Sequence, residues 1–204
     1  TVLEAFTIMR RDDPELVGRL MTKMKDEGIR LIEEVRITNV IRNGERIIID
    51  ISDGKSIEGT HLLVAAGTRP NIDKLNLKAA NITYDARGIQ TDNRLRSSNQ
   101  RVFAIGDVAG RHQFTHVAGY HAGIVIRNIL FKLPTKLRDN AIPWVTYTDP
   151  ELAQTGLTWT DAVSRYGVEA VSRTDWELHD NDRARAARRT EGLIRVVSDR
   201  KGKI

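Results

Sequence analysis

The residues with the clearest chemical potential lie between positions 101 and 131, in the stretch RVFAIGDVAGRHQFTHVAGYHAGIVIRNILF. The short apolar run Val102–Ile105 predicts a strand, which Gly106 and Asp107 end with a turn. A helical pattern of apolar residues follows, with Thr115 as its predicted N-cap. In an open α/β sheet, ligands bind beyond the carboxyl ends of the strands, where a carboxylate can accept hydrogen bonds from sugar-like hydroxyls. Free N–H groups at the helix start favour an electron-rich or anionic group, so the pattern indicates a polyol or nucleotide cofactor.

The order VFAIGDVAG and then FTHVAGYHAG resembles the second flavin-binding motif of the FAD-dependent pyridine nucleotide-disulfide oxidoreductase family, which includes dihydrolipoamide dehydrogenases and mercuric reductases. The resemblance implies that Asp107 holds the ribityl chain of FAD and that Gly106 is a further cofactor-binding residue. It also implies that four consecutive residues lie at the pyrimidine edge of the flavin, where the helix dipole favours negative charge: Gln113, Phe114, Thr115 and His116. The alternative for Asp107 is a turn or capping residue that binds no ligand.

The start of the chain predicts a β-α-β unit. After the apolar pair Val2 and Leu3, a helix is expected from Pro14, with Asp13 as its N-cap. Gly28 ends this helix, and Ile29–Glu33 forms the second strand, which a right-handed crossover connects to the first. An apolar stripe on the helix faces the core: Leu16, Val17, Leu20, Met21 and Met24.

An acidic residue at the end of a strand in such a unit can bind both hydroxyls of a ribose. Glu4 occupies this position. In the family that the chain resembles, TVLEA corresponds to the second strand of the nicotinamide domain, which implies that Glu4 binds the adenosine ribose and favours NADH over NADPH. Val35 would then lie near the adenine. An exposed strand-end glutamate and a core valine are the alternatives.

The segment from residue 35 to 59 predicts a β-meander. Two runs that alternate apolar and polar residues flank Asn43-Gly44, a strong signal for a two-residue hairpin loop. Asp53-Gly54 predicts the second turn, and Ser56–Glu58 the returning strand.

The apolar run His61–Ala66 predicts a buried strand, and the residues AAGTRP at its end resemble the A-T-G-x-x-P turn of the same family. Gly67 permits close backbone approach in this turn, and we expect it to contribute to the cofactor site. The alternative is a plain turn from a strand into a loop. Further on, Gly88–Thr91 predicts a short strand in a polar, turn-rich segment.

A different pattern begins after Pro143. Trp144–Tyr147 predicts a strand, and TDPE at positions 148–151 resembles the T-x-P-E motif that opens the dimerisation domain of the family. A helix over Asp161–Tyr166 and strands over Val168–Trp176 and Leu193–Val197 then predict an antiparallel sheet with helices. The resemblance implies a homodimer formed through this domain.

Composition excludes several classes of protein. The 204 residues are 40% hydrophobic and 29% charged, as in ordinary globular proteins, and the net charge is +5. The basic run RARAARR at residues 183–189 invites a nucleic-acid hypothesis, but only 5% of residues are aromatic and no nucleic-acid motif is visible, so we expect no nucleic-acid binding. No apolar run reaches membrane-spanning length and the first residues lack signal-peptide order, so we expect no membrane association and a cytoplasmic location.

The chain contains no cysteine, so the redox dithiol of the suspected family is not among these residues. A metal site at His112, His116 and His121 is not expected, since helical histidine ligands usually lie four residues apart and these do not. We therefore identify no catalytic residue and no metal ligand in this chain.

These observations predict an α/β protein with partial Rossmann-type FAD- and NAD(P)-binding domains followed by a partial α+β dimerisation domain. Residues 1–69 are expected to be the later part of the NAD(P)-binding domain, 70–140 the returning segment of the FAD-binding domain, and 141–204 the start of the dimerisation domain. The resemblance implies an internal fragment of a flavoprotein that passes electrons from NAD(P)H through FAD to a small disulfide or metal-ion acceptor. The alternative is a non-catalytic nucleotide-binding and dimerisation module without redox cysteines.

Overall fold

The computed structural model describes all residues from Thr1 to Ile204. It contains two compact units, one formed by Thr1–Val64 together with Val145–Ile204, and the other by Ala65–Trp144.

The first unit begins with the predicted β-α-β arrangement. Strand β1 (Val2–Leu3) pairs in parallel with β2 (Leu31–Ile32), and helix α1 (Pro14–Asp26) connects them. The carboxylate of Asp13 accepts a hydrogen bond from the backbone N–H of Glu15, which confirms the predicted N-cap. Val17 and Leu20 of the apolar stripe are buried against Leu152, so residues from both ends of the chain share this core.

The predicted meander is present as three antiparallel strands: β3 (Ile37–Asn43), β4 (Arg46–Ile51) and β5 (Ser56–Gly59). Asn43 pairs with Arg46, so the hairpin loop consists of Gly44 and Glu45, one residue later than predicted. Gly44 has a φ of +62°, and a positive φ at the first loop position is what glycine allows in a tight hairpin.

The last part of the chain, from Trp144 onward, contains the expected mixture of strands and helices. Strands β8 (Trp144–Thr146) and β9 (Leu152–Gln154) pair with each other, and β10 (Val171–Glu177) and β11 (Leu193–Asp199) form an antiparallel pair over seven residues. The helices are α3 (Trp159–Tyr166) and the short α4 (Asp182–Ala186). Helix α3 begins two residues before the predicted start, because the Thr158 hydroxyl accepts the Asp161 N–H and so caps an earlier turn. Residues 168–170 form a 3₁₀ turn, so the strand predicted from Val168 begins at Val171.

The second unit packs a long helix and several turns around two small apolar cores. Strands β6 (Tyr84–Asp85) and β7 (Gly88–Ile89) form a short hairpin, and the longest helix, α2 (Thr115–Ile129), supplies Ile124 to the core with Leu95 and Leu137. The other core lies around Leu77, Ile82, Ile89, Ala104 and Ala109. None of the helices has the length and apolar character needed to cross a bilayer.

Two predicted strands are wrong. His61–Ala66 forms no ladder, and the side chains of Leu63 and Val64 are exposed. In Val102–Ile105 only Phe103 makes a β-bridge, with Arg96. Both runs have the composition of buried strands, but a strand exists only where a neighbouring strand completes its hydrogen bonds, and neither run has one here.

Candidate functional site

The candidate site is built on a 3₁₀ turn, Gly106–Ala109. We expected Gly106 and Asp107 to end a strand. Instead an extended Ile105 leads into this turn, which Gly110 closes with a φ of +67°. The side chain of Asp107 is exposed, and its carboxylate makes no hydrogen bond or ion pair with another residue of the chain. The turn therefore presents an unpaired carboxylate on an ordered backbone.

Glycines let neighbouring segments approach this turn closely. A Cβ atom on Gly88 of β7 would lie 2.5 Å from the carbonyl oxygen of Val108, and one on Gly110 would overlap the carbonyl oxygen of Arg87. On the other side, a Cβ atom on Gly106 would lie 3.0 Å from the Cβ of Ala118 in α2. The turn thus packs closely between β7 and α2; a side chain at Gly88 or Gly110 would clash with backbone atoms, and one at Gly106 would crowd Ala118.

The N-terminus of α2 is not capped by a side chain. Phe114 occupies the N-cap position and Thr115 is the first helical residue, so the prediction of Thr115 as N-cap is wrong. A phenylalanine has no acceptor for the first N–H groups of the helix, which leaves them available to another acceptor. The ring of His116 stacks on that of Phe114, with centroids 5.4 Å apart, and its Nε2 lies 2.8 Å from the carbonyl oxygen of Pro143.

The turn that contains Gly67 lies beside this helix start. Gly67 has a φ of +105°, a conformation that glycine adopts readily. The hydroxyl of the next residue, Thr68, donates a hydrogen bond of 2.6 Å to the amide oxygen of Gln113. The structure therefore joins the turn that contains Gly67 to Gln113 through Thr68, which is 45 positions from Gln113 in the sequence.

One residue that the sequence did not assign to the site contacts the turn directly. This residue, His121, has 0% relative exposure. Its Nδ1 accepts a hydrogen bond of 3.1 Å from the backbone N–H of Gly106. His121 lies four residues after Val117 and three before Ile124, a spacing that places it on the same face of α2 as these two apolar residues. This spacing could have identified His121 as a buried residue.

Burial lowers the pKa of His121 below its ordinary value of 6.5; Asp139 opposes this shift, and Arg111 and His112 add to it. The imidazole is therefore neutral at pH 7. This protonation state suits its role as an acceptor, since only a neutral ring has a free nitrogen lone pair.

The two predicted nicotinamide residues lie in the other unit and close to each other. Glu4 directly follows β1, and its carbonyl oxygen accepts a 3.1 Å hydrogen bond from the N–H of Val35. The Glu4 Oε1 accepts a 3.0 Å bond from the N–H of Phe6, whereas Oε2 makes no hydrogen bond. The side chain of Val35 is buried. Glu4 thus keeps one carboxylate oxygen for a ligand.

No group of three or more histidine, aspartate or glutamate side chains has an arrangement that could hold a metal ion. His116 and His121 each use a ring nitrogen in a contact with the backbone, with Pro143 and Gly106.

Comparison with known proteins identifies the family of the chain. Residues 1–122 match the pyridine nucleotide-disulphide oxidoreductase family, and residues 142–204 match the dimerisation domain of the same family. The chain is 32% identical over 198 residues to a mercuric reductase of Bacillus cereus, covering 95% of this chain and 31% of that protein. It is also 32% identical over 200 residues to a dihydrolipoyl dehydrogenase of Chlamydia trachomatis, covering 97% of this chain and 42% of that protein. The chain therefore spans well under half the length of these relatives.

Solved structures show the same fold. The flavoprotein disulfide reductase RclA from Escherichia coli superposes with a TM-score of 0.88 at 23% identity, over 98% of this chain and 46% of that one. LpdA from Mycobacterium tuberculosis superposes with a TM-score of 0.89, also at 23% identity, over 98% of this chain and 43% of that one. With a family match over more than half of its residues, this chain belongs to the pyridine nucleotide-disulphide oxidoreductase family.

Proposed function

We propose that this chain is part of a flavoprotein oxidoreductase of the dihydrolipoamide dehydrogenase or mercuric reductase type. The whole enzyme would pass electrons from NAD(P)H through FAD to a disulfide or metal-ion substrate. The family is FAD- and NAD(P)H-dependent, and the similar proteins are named mercuric reductase and dihydrolipoyl dehydrogenase. The observation that carries the proposal is the exposed, unpaired carboxylate of Asp107 on a turn packed closely between β7 and α2.

In this proposal the second unit holds FAD. Asp107 binds the ribityl chain, because an ionised carboxylate without a protein partner is a strong acceptor for hydroxyl groups, and Gly106 places the backbone of the turn close to the cofactor. The uncapped start of α2 lies at the pyrimidine edge of the flavin, through the segment from Gln113 to His116. There its N–H groups and dipole would stabilise negative charge. Gly67 supports this arrangement through the hydrogen bond between its neighbour Thr68 and Gln113. Bound FAD would supply two-electron transfer between nicotinamide and acceptor.

The first unit would bind the nicotinamide dinucleotide. Glu4 keeps one free carboxylate oxygen beside a parallel strand pair, which suits a ribose hydroxyl and repels a 2′-phosphate. NADH is therefore the proposed donor. Val35 would pack near the adenine, held in place by its backbone bond to Glu4.

The chain has no cysteine, so any dithiol that receives electrons must come from other residues. We propose a homodimer assembled through residues 141–204, which overlap the match to the dimerisation domain of the family. The competing hypothesis, a non-catalytic nucleotide-binding module, rests on the absence of cysteine. It predicts a colourless protein that does not oxidise NADH.

The test is the visible absorption spectrum of the protein that the natural gene encodes, before and after anaerobic addition of NADH. We expect a flavin spectrum that NADH bleaches and that lipoamide, mercuric ion or another acceptor restores. The change Asp107→Ala is expected to weaken FAD binding by about 1.5–3 kcal/mol, or roughly ten- to a hundredfold, because a hydrogen-bonded charge is lost.

Asp73→Ala is the matched control, since Asp73 is another exposed aspartate of the same unit and has only a long ion pair, 3.9 Å, to Arg69. A colourless product, or a flavin that NADH leaves oxidised, contradicts the proposal. Equal loss of FAD in both variants would remove Asp107 from the site.

A further inference from the structure

Helix α2 contains a buried polar side chain to which the proposed cofactor site assigns no role. His121 is fully buried, and its Nδ1 lies 3.1 Å from the backbone nitrogen of Gly106. A backbone N–H can only donate, so Nδ1 carries no proton and the ring proton is on Nε2. That Nε2 is itself buried and has no hydrogen-bond partner.

This arrangement is unfavourable for a residue that only fills space. A buried donor without an acceptor destabilises a fold, and an apolar side chain of similar size would pack beside Val117 and Ile124 without that penalty. What the imidazole contributes, and an apolar side chain could not, is the acceptor for Gly106.

The Gly106 N–H belongs to the first residue of the 3₁₀ turn, where a backbone donor finds no partner within the turn. Gly106 also adopts a left-handed φ of +65°, which glycine allows. The peptide that follows leads directly to Asp107. Fixing the Gly106 N–H therefore fixes the backbone that presents the Asp107 carboxylate.

We propose that His121 is a positioning residue for FAD, which sets the orientation of Asp107 through the hydrogen bond from the Gly106 N–H to its Nδ1. This inference rests on the proposed function, in which Asp107 binds the ribityl chain. His121 touches no cofactor atom in this role, and it acts only through the backbone of the turn.

The role requires a neutral ring, since a proton on Nδ1 would remove the acceptor. The charged and titratable groups that act on His121 are Arg111, His112 and Asp139. Burial favours the neutral ring, Asp139 opposes it, and Arg111 and His112 act in the same direction as burial. The bond is therefore present near pH 7 and is lost as the pH falls through the lowered pKa of His121, below 6.5.

Three variants separate the acceptor from packing, tested in the protein that the natural gene encodes after its cofactor is removed. The change H121N places an amide oxygen close to the position of Nδ1, H121Q places its amide near Nε2, and H121L has no acceptor but fills the space. We expect H121L and H121Q to bind FAD about tenfold more weakly in a fluorescence titration. H121N should bind nearly as well as the unchanged protein, although it leaves more space than leucine.

The pH profile provides a second readout. At pH values below 6.5, the FAD affinity of the unchanged protein should decrease by more than that of H121N. The amide of H121N does not titrate, and this variant retains His112. If H121L binds FAD as tightly as H121N, or if the two pH profiles coincide, the inference is wrong.

If H121L fails to fold, ¹⁵N NMR of the unchanged protein provides the test. We expect the ring proton of His121 on Nε2, and a proton on Nδ1 would overturn the proposal.

The experiments give a different result if the proposed function itself is wrong. If the unchanged protein binds no FAD, or if Asp107→Ala binds FAD normally, the proposed FAD site itself is wrong. If Asp107→Ala loses affinity while H121L keeps it, the FAD site stands and only the role of His121 is refuted.

Discussion

Glu4 and Glu33 follow the two parallel strands β1 and β2, and each carboxylate accepts a backbone N–H from the loop after β1. The Glu4 Oε1 binds the N–H of Phe6 at 3.0 Å, and the Glu33 Oε1 binds that of Ile8 at 2.6 Å. The two glutamates thus have similar local roles. Both follow a strand, but the proposed function assigns the ribose hydroxyls to Glu4 alone, through the resemblance of TVLEA to the second strand of the nicotinamide domain.

We expect Glu4→Gln to raise the KM for NADH about tenfold and to lower that for NADPH, because the amide no longer repels a 2′-phosphate and binds hydroxyls less strongly. The measurement is the rate at which each nucleotide bleaches the flavin of the natural gene product. Glu33→Gln is the matched control and should leave the ratio of the two rates unchanged. A similar change in both variants would show that the loop after β1, and not the charge of Glu4, controls nucleotide choice.

At the scale of single residues, the sequence predicted the roles that depend on residues close by in the chain. Asp13 caps α1 as predicted. An aspartate directly before a proline at the first helical position accepts a free N–H of the first helical turn, so the cap depends only on residues close together in the sequence. Thr115 does not cap α2, since the chain enters the helix with Phe114 extended at the N-cap. His121 was missed because its partner, the Gly106 N–H, is 15 residues away, and only the packing of α2 on the turn brings them together.

At the scale of elements, a cluster of charges joins helix α1 to the sheet of β10 and β11. Only 5% of the Arg195 side chain on β11 is exposed, and its guanidinium binds three carboxylates, those of Asp13 at 2.9 Å, Glu15 at 2.6 Å and Asp175 at 2.8 Å. The carboxylates raise the pKa of Arg195, and Arg195 in turn lowers the pKa of Asp175. Because Asp13 is also the N-cap of α1, one guanidinium couples the start of the helix to the sheet.

We expect Arg195→Ala to destabilise α1 by about 3–5 kcal/mol, because it leaves the carboxylate of Asp13 buried without its cation. Hydrogen exchange of the α1 amides under native conditions measures this loss for the helix itself. Arg173→Ala is the matched control. Arg173 contacts Glu15 and Asp175 at 3.4 and 3.3 Å, but 36% of its side chain is exposed, so its loss should amount to less than about 1 kcal/mol. Equal effects of the two changes would mean that the burial of Arg195 adds nothing to the coupling.

The helices and hairpins were predictable because their signals are local. Caps, apolar spacing and turn glycines act over a few residues, and the meander of β3, β4 and β5 followed from them with an error of one loop residue. Strands His61–Ala66 and Val102–Ile105 were not predictable in the same way. Their composition favours a strand, but a ladder depends on which distant segment lies alongside, and composition does not contain that information.

At the scale of the whole molecule, sequence order and spatial grouping differ. Val17 and Leu20, near the start of the chain, share a core with Leu152, more than 130 positions later. The compact unit around this core therefore includes residues from the expected nicotinamide and dimerisation domains. Family motifs predicted boundaries near residues 69 and 140, and these stay predictions, because motifs indicate the order of domains and not which of them pack together.

The sheet of β10 and β11 has an apolar face that is open to solvent. Trp176 lies opposite Ile194 in the antiparallel register, and their side chains are 55% and 52% exposed. A two-stranded sheet is marginally stable in water, and exposed apolar patches mark surfaces that another element covers. Since this sheet lies within the part of the chain that matches the dimerisation domain, we propose that a second copy of the protein covers this face.

We therefore expect Ile194→Asp to shift the natural gene product from dimer to monomer in analytical ultracentrifugation at micromolar concentration, because the carboxylate would be buried without a partner. Trp176 fluorescence should shift to the red at the same time, as the indole becomes exposed to water. Lys201→Asp, at the exposed turn that follows β11, makes a larger change in charge and should leave the dimer intact. A dimer that tolerates Ile194→Asp would mean that residues of the same chain cover this face, and that the interface lies elsewhere in the domain.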